Sequence, residues 1–214
     1  EVIRAEVERV ASLPADMRRA AVVGGGFIAL EFPPFFEPHG IETHLLLRGS
    51  RYWQRTVTPE GSAVIEKLLE SHGVIIRRNV EVEGLEETSD GLTLTLTDGS
   101  TLLVGAIGIG LGLTSVAPEN VPLDAGIPAD SQLATELTDV WTAGDVAEFD
   151  DVISGRRRKI GNWLNADQQG RCAAENMTGA RRTFENVSQY STHIFDVVIA
   201  MVGDRPADMT PRVV

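Results

Sequence analysis

Gly24, Gly26 and Ala29, within Ala20-Ala-Val-Val-Gly-Gly-Gly-Phe-Ile-Ala-Leu-Glu31, follow the G-x-G-x-x-G/A spacing. The first glycine permits a tight turn, the second lets the backbone approach a diphosphate, and the small third residue keeps a helix close to a strand. Such a turn grips an anion with main-chain N–H groups where the helix begins, so the chemistry on offer is dinucleotide binding. A glycine turn after a strand is also a common connector, and the spacing alone leaves both readings open. A second candidate closes the next apolar stretch. Glu42-Thr-His-Leu-Leu-Leu47 runs into Arg48, with Arg51 and Arg55 behind it and no carboxylate between Glu42 and Glu60. In a mononucleotide-binding unit an acid at this strand tip accepts from the ribose 2′-OH of NAD, whereas an arginine accommodates the 2′-phosphate of NADP. The expected ligand is therefore NAD(P)H with NADP favoured, the alternative being arginines that only solvate a loop. The third candidate is Gly144-Asp145, where glycine would admit a ligand to the backbone and the carboxylate could accept from a ribose or polyol hydroxyl; a cap or turn is the alternative.

Elements able to position these residues can be read from period and punctuation. Ile3, Val7, Val10 and Ala11 have helical spacing and stop before Pro14, which predicts an amphipathic helix and a connector. Ala20–Val23 then reads as a buried strand entering the glycine turn. Pro33, Pro34 and Pro38 fall where the following helix should continue, and an interior proline costs about 3 kcal/mol, so a kinked or shortened helix is expected. Thr58-Pro-Glu60 is a helix start with a cap and a proline in the first turn, Val64, Ile65, Leu68 and Leu69 form its apolar face, and Gly73 ends it. Val74-Ile-Ile76 supplies a third strand of a β-α-β-α-β series. Val80–Leu85, Leu92–Thr97 and Thr101–Val104, punctuated by Asp90-Gly91 and Asp98-Gly99, predict an antiparallel meander, and Ala106–Gly110 returns as a buried strand. Asp139–Phe149 is expected to be a strand delivering Gly144 and Asp145, and Asn162 to open a helix that runs to Met177.

The totals narrow the classes. A chain of 214 residues with 43% hydrophobic content can bury a core, and a net charge of −12 repels polyanions, so nucleic acid and anionic membranes are not expected partners. The basic run Arg156-Arg-Arg-Lys159 reads as a solvated loop, and no apolar run is long enough to span a bilayer. Without a basic-then-apolar N-terminal pattern the expected location is cytoplasmic. One cysteine, Cys172, excludes an intrachain disulfide pair and reads as a small apolar residue on a helix. His39, His44, His72 and His193 have no metal-ligand or triad spacing, so neither a metal site nor a catalytic side chain is expected.

Taken together, four stretches resemble the pyridine nucleotide–disulfide oxidoreductase superfamily, most closely its branch of ferredoxin and rubredoxin reductases, NADH oxidases and related FAD-dependent reductases. They are Val22–Glu31, Ala106–Gly110, Thr138–Ala147 and Asn162–Met177. The resemblance implies an α/β fold: a Rossmann-like parallel sheet with an antiparallel β-meander, plus a C-terminal FAD-domain segment. It implies domains at 1–18 (helical linker), 19–129 (NAD(P)-binding), 130–190 (FAD-contacting) and 191–214 (the start of a truncated interface domain). Gly24, Gly25, Gly26, Phe27 and Ala29 match the nicotinamide-nucleotide turn, Ile28 and Glu31 match positions along its nicotinamide half, and Gly108 and Gly110 match the strand end beside it. Asp145 after Gly144 matches the aspartate that bonds the FAD ribitol, and Trp163 with Ala166 matches the segment beside the two rings. His193 falls near where relatives bring an interface segment toward the flavin. In such enzymes hydride passes from nicotinamide to flavin and electrons leave to an acceptor, so the cofactors carry the chemistry and the protein aligns them.

Departures from that pattern define the competing readings. The family's first glycine fingerprint, which holds the ADP part of FAD, and its redox cysteine pair do not occur in this sequence, so the FAD site is expected to be half present. The implied partners are a nicotinamide nucleotide and either the missing FAD-binding half or a redox acceptor, with homodimerisation compatible. The expected function is the nucleotide-binding portion of an FAD-dependent NAD(P)H oxidoreductase, incomplete and inactive alone if so. Against it stand a non-catalytic nucleotide-binding module and an inactive Rossmann-type fragment.

Overall fold

A computed structural model describes residues 2–54, 56–88 and 91–203. Arg55, Asp90 and everything after Gly203, on which expectations of a phosphate-reading arginine, a tight turn and a further domain partly fell, lie outside the described residues. The chain divides into two compact units. The first runs up to Gly112 and takes in His193–Val197; the second holds Leu113–Thr192 and 198–203.

The first unit opens with helix α1 (Val2–Ala11), which buries Val7 and Val10 as its apolar spacing predicts. Strand β1 (Arg19–Val23) follows, then α2 (Phe27–Glu31), α3 (Pro33–Phe36), β2 (Glu42–Leu47), α4 (Pro59–Ser71), β3 (Ile75–Arg78), β4 (Val82–Thr88), β5 (Gly91–Leu96), β6 (Thr101–Val104) and β7 (Ala106–Ile109). Strands β3, β2, β1 and β7, in that order, form an all-parallel sheet, with Val22 beside Leu45 and Gly108. Alternation along β1 sends Ala21 and Val23 to one face, where the β4-β5-β6 meander packs Leu94, Leu96, Leu102 and Val104 against Ala21 and Leu46. The other face carries helices: a Cβ on Gly108 would sit 2.9 Å from the Phe32 ring. An apolar sheet buried on both sides is what a parallel arrangement requires.

The prolines shorten the first crossover helix as expected. α2 stops after five residues, and Pro33 and Pro34 occupy the first positions of α3, where a missing N–H breaks no helical bond. Gly40, in the left-handed region at φ 63°, ends the following 3₁₀ turn. α4 is capped as its sequence predicts, Thr58 Oγ1 accepting from the Gly61 N–H at 3.1 Å.

The second unit contains β8 (Ile127–Ala129), β9 (Ala147–Asp151), β10 (Arg156–Arg158) and α5 (Trp163–Met177); β11 (Gln189–Ile194) and β12 (Val197–Val202) pair as a separate ribbon. Leu133, Phe149, Ile160, Cys172, Ala173 and Phe184 form its core, and burial pushes the Cys172 thiol up, in keeping with its apolar reading. Two expectations change here. The strand predicted over 139–149 begins only at Ala147: residues 139–143 contribute a single bridge, Ala134 to Trp141, because Gly144 turns into a 3₁₀ segment at φ 80°. The basic run is a paired strand rather than a solvated loop. Arg157 Nε lies 2.9 Å from Asp150, Arg158 pairs with Asp151 at 3.6 Å, and Lys159 Nζ donates to Ser115 Oγ and the Ala125 carbonyl at 2.7 Å. Among the described residues no helix is long and apolar enough to cross a membrane.

Candidate functional site

At the carboxyl end of the parallel sheet β1 and β2 deliver the chain into a cleft of about 610 Å³, within the range of about 300–1,000 Å³ typical of small-molecule sites. Its walls are Gly24, Gly25 and Gly26 on one side and Arg48 and Gly49 on another, with Gly110–Gly112 along the edge. Two of the glycines are dictated by contact. Gly24 has φ 129°, and a Cβ there would lie 2.3 Å from the Gly110 carbonyl oxygen; a Cβ on Gly110 would lie 2.8 Å from the Ala29 nitrogen. The strand end, the turn and α2 therefore approach with no room for side chains, the packing that the third small residue of the motif predicts. Gly26 differs: its Cβ position is 3.9 Å from the nearest atom, so space rather than protein lies over it.

Because α2 has five residues, the field of a long helix contributes little here. Arg48 is exposed at the tip of β2, and no hydrogen bond or ion pair joins it to the described residues. Arg51 also lines the cleft, but its guanidinium donates to the Val57 carbonyl at 2.9 Å, Ser62 Oγ at 2.7 Å and the Gln54 carbonyl at 2.9 Å. Of the three arginines expected to read a 2′-phosphate, Arg55 lies outside the described residues, Arg48 makes no bond to the described residues and Arg51 is bonded to its own loop and to α4. Phe27 sits beside the cleft-lining Trp53, ring centroids 5.8 Å apart, and Ala29 is fully buried. Ile28 and Glu31 are exposed on α2 outside the cleft lining, and Gly108 is packed beneath Phe32.

Sequence reasoning missed Tyr52. Its hydroxyl donates to the Gly26 carbonyl, and its ring is fully buried, which pushes the phenol pKa well above its ordinary range and keeps it a donor. Nothing in a lone tyrosine within Arg51-Tyr-Trp-Gln54 signals a partner 26 residues upstream. Trp53, Gln54, Thr56 and Glu81 also line the cleft without having been singled out.

In the second unit Gly144, Asp145, Trp163 and Ala166 form their own group. The Gly144 N–H donates to Gln169 Oε1 at 2.7 Å, tying the turn to α5, and a Cβ on Gly144 would meet the Ala166 Cβ at 3.4 Å. Asn162 caps α5, its Oδ1 accepting from the Asn165 N–H at 2.8 Å. Asp145 is exposed and Trp163 strongly so, at 82%. On the flanking residue Thr142 and along α5, Thr142 Oγ1, Asn165 Oδ1, Gln168 Oε1 and Gln169 Nε2 are buried and have no hydrogen-bond partner among the described residues. Unpaired buried polar atoms are costly, and a set of donors and acceptors beside an open carboxylate fits a ligand carrying hydroxyls and ring amides. Among the described residues no three His, Cys, Asp or Glu side chains gather to hold a metal.

Comparison with known proteins gives this geometry a lineage. The family model described as pyridine nucleotide-disulphide oxidoreductase matches residues 2–170. The ferredoxin reductase subunit of a 5,5′-dehydrodivanillate O-demethylase from Sphingobium sp. is 30% identical over 210 residues, covering 94% of this chain and 50% of that protein. Among solved structures, a ferredoxin reductase from Rhodopseudomonas palustris superposes with a TM-score of 0.80 at 27% identity, over 92% of this chain and 49% of that one. The covalent putidaredoxin reductase–putidaredoxin complex gives 0.75 at 28% identity, over 87% and 46%. The chain thus spans about half the length of the curated relatives it matches. The fold expected from the sequence agrees with these structures. With most of its length matched by the family model, the chain belongs to the pyridine nucleotide-disulphide oxidoreductase family.

Proposed function

We propose that this chain is the nicotinamide-nucleotide-binding portion, with a flavin-contacting segment, of an FAD-dependent NAD(P)H oxidoreductase, and that NADPH is its preferred nucleotide. The observation carrying this is the cleft, lined by a side-chain-free turn and by Arg48, a cation at the tip of β2 that makes no ion pair with the described residues. The amides of Gly24–Gly26 would hold the diphosphate and Arg48 the 2′-phosphate, with Gly110 bordering the same nucleotide. Asp145 would accept from the flavin's ribityl hydroxyls, and the unpaired polar atoms of Thr142 and α5 would satisfy its polar edge. When bound, the nicotinamide supplies a hydride and the flavin accepts it; the chain binds, orients and keeps water away, with no acid, base or nucleophile of its own. The named relatives point to a ferredoxin-type redox protein as the acceptor. The layout proposed is a linker over 1–18, a nucleotide-binding part over 19–129, a flavin-contacting part over 130–190 and the start of an interface part beyond, in a cytoplasmic setting.

Thermal unfolding with nucleotide tests the first step. At about a hundredfold excess over its Kd, NADPH should stabilise the chain by about 2.7 kcal/mol, or roughly 5–10 °C in Tm, and NADH at the same concentration by less. No shift with either nucleotide would leave the fold without the proposed function. A yellow preparation oxidising NADPH would show a working flavin site, whereas a colourless protein stabilised by NADPH would favour the binding-module reading. For the flavin side, Asp145→Ala should weaken FAD retention about tenfold or more, the order expected for hydrogen bonds to a charged acceptor. Equilibrium dialysis of FAD checks this, and unchanged retention would remove Asp145 from the site.

A further inference from the structure

The loop 48–57 between β2 and α4 carries Arg48, yet it is not a free-standing loop. Tyr52 N–H donates to Glu66 Oε1 at 2.6 Å, and Glu66 Oε2 is paired with Arg78 at 2.6 Å. Ser62 Oγ donates to the Tyr52 carbonyl at 2.6 Å and accepts from Arg51 at 2.7 Å. Arg51 and Tyr52 are thus fastened to α4. One further bond leaves the loop in the opposite direction: the fully buried phenol of Tyr52 reaches the carbonyl of Gly26, the middle glycine of the motif. A trans peptide holds its N–H opposite its C=O, so fixing the Gly26 carbonyl also fixes the direction of the Phe27 amide, away from Tyr52.

We infer that Tyr52 is a positioning residue that locks the glycine turn to the arginine-bearing loop, so that the diphosphate and 2′-phosphate subsites of the cleft form as one rigid unit. This rests on the nucleotide reading of the cleft and adds a residue behind the lining rather than on it. Two features distinguish a strut from ordinary core packing. The bond joins a loop to the N-cap carbonyl of α2, an oxygen that already accepts the first helical bond, and its loss frees the turn end of the link while the aromatic ring keeps filling its space. The consequence is specific. Loosening the strut disturbs the turn, which both nucleotides use, whereas changing Arg48 disturbs only what NADPH uses.

The test titrates wild-type protein, Tyr52→Phe and Arg48→Glu with NADPH and NADH well below each Tm, where every variant is folded. Tyr52→Phe should raise both dissociation constants about five- to tenfold, and Arg48→Glu only that for NADPH. A residue that merely stabilised the fold would lower Tm and leave the affinity of the folded protein where it was, so dissociation constants for both nucleotides within twofold of wild type would overturn the inference. Should Tyr52→Phe fail to fold, 4-fluorophenylalanine at position 52 carries the test, since it fills the volume of the phenol and offers no donor to the Gly26 carbonyl. Weaker binding of both nucleotides would then support the strut, and unchanged binding would overturn it. Wild-type protein that binds neither nucleotide would be a different result, removing the reading of the cleft itself.

Discussion

Replacing Gly24 by alanine should both unfold the site and destabilise the protein, by about 2–5 kcal/mol, with nucleotide binding lost at ordinary concentrations. Two penalties add. At φ 129° the residue occupies backbone space that side chains rarely enter, and the new Cβ would lie 2.3 Å from the Gly110 oxygen and 2.8 Å from its carbonyl carbon. Overpacking of this kind costs about 1–3 kcal/mol where neighbours can yield. Here the neighbour is main chain, held in place by the Gly110 N–H bond to the Val23 carbonyl at 2.9 Å, while Gly24 is itself bonded to Leu46 at 3.1 Å. Relief therefore means parting the ends of β1 and β7, which form the floor of the cleft. Gly26→Ala supplies the contrast. Its Cβ would have 3.9 Å to the nearest atom and its backbone is extended, so Tm should move little, but the methyl would occupy the space proposed for the diphosphate and affinity should fall at least tenfold. Circular dichroism melts and nucleotide titration read the two effects separately. If Gly26→Ala bound NADPH normally, the turn would not be the diphosphate site, and if Gly24→Ala melted as wild type does, the close approach to Gly110 would not be what requires glycine there.

That contrast shows how unevenly the sequence declares its structure. Gly24 was legible as a turn because its requirement is local: a strand must stop, turn and admit a helix within a few residues. The parallel sheet and meander were legible for the same reason, since period-2 alternation in Leu92–Leu96 and a continuous run in Leu45–Leu47 report the number of buried faces. The 139–149 stretch misled because Val140, Trp141, Ala143 and Val146 look continuously apolar, while the conformation of Gly144, which decides where β9 starts, is fixed by a bond to Gln169 on a helix 25 residues away. Arg51 and Arg48 look equivalent in sequence. Only the positions of the Val57 and Gln54 carbonyls and of Ser62 decide that one is a strut and the other is available. Tyr52 lies beyond sequence reasoning altogether, because the group it satisfies is a main-chain oxygen, and every residue has one.

If the proposed preference for NADPH holds, Arg48→Glu should invert it. The wild-type side chain is exposed in the cleft and unpaired with the described residues, so a phosphate meeting it displaces water and breaks no internal salt bridge. A phosphate monoester carries about −1.5 to −2 charges at neutral pH, and a charge-assisted contact to arginine contributes about 1.5–3 kcal/mol. Glutamate removes that contact and adds repulsion, so NADPH affinity should fall by about two to three orders of magnitude, a loss that added salt should lessen by screening. NADH lacks the phosphate and should bind as well or several-fold better, since a carboxylate at this strand tip accepts from the 2′-OH. The comparison that isolates the charge is Arg51→Ala, which withdraws three hydrogen bonds from the loop and should lower Tm while weakening both nucleotides alike. Stopped titrations of both nucleotides at two salt concentrations would measure these effects together. An unchanged NADPH-to-NADH ratio in Arg48→Glu would mean that the 2′-position is read elsewhere or not at all, and the preference would then have to come from a residue on another wall of the cleft.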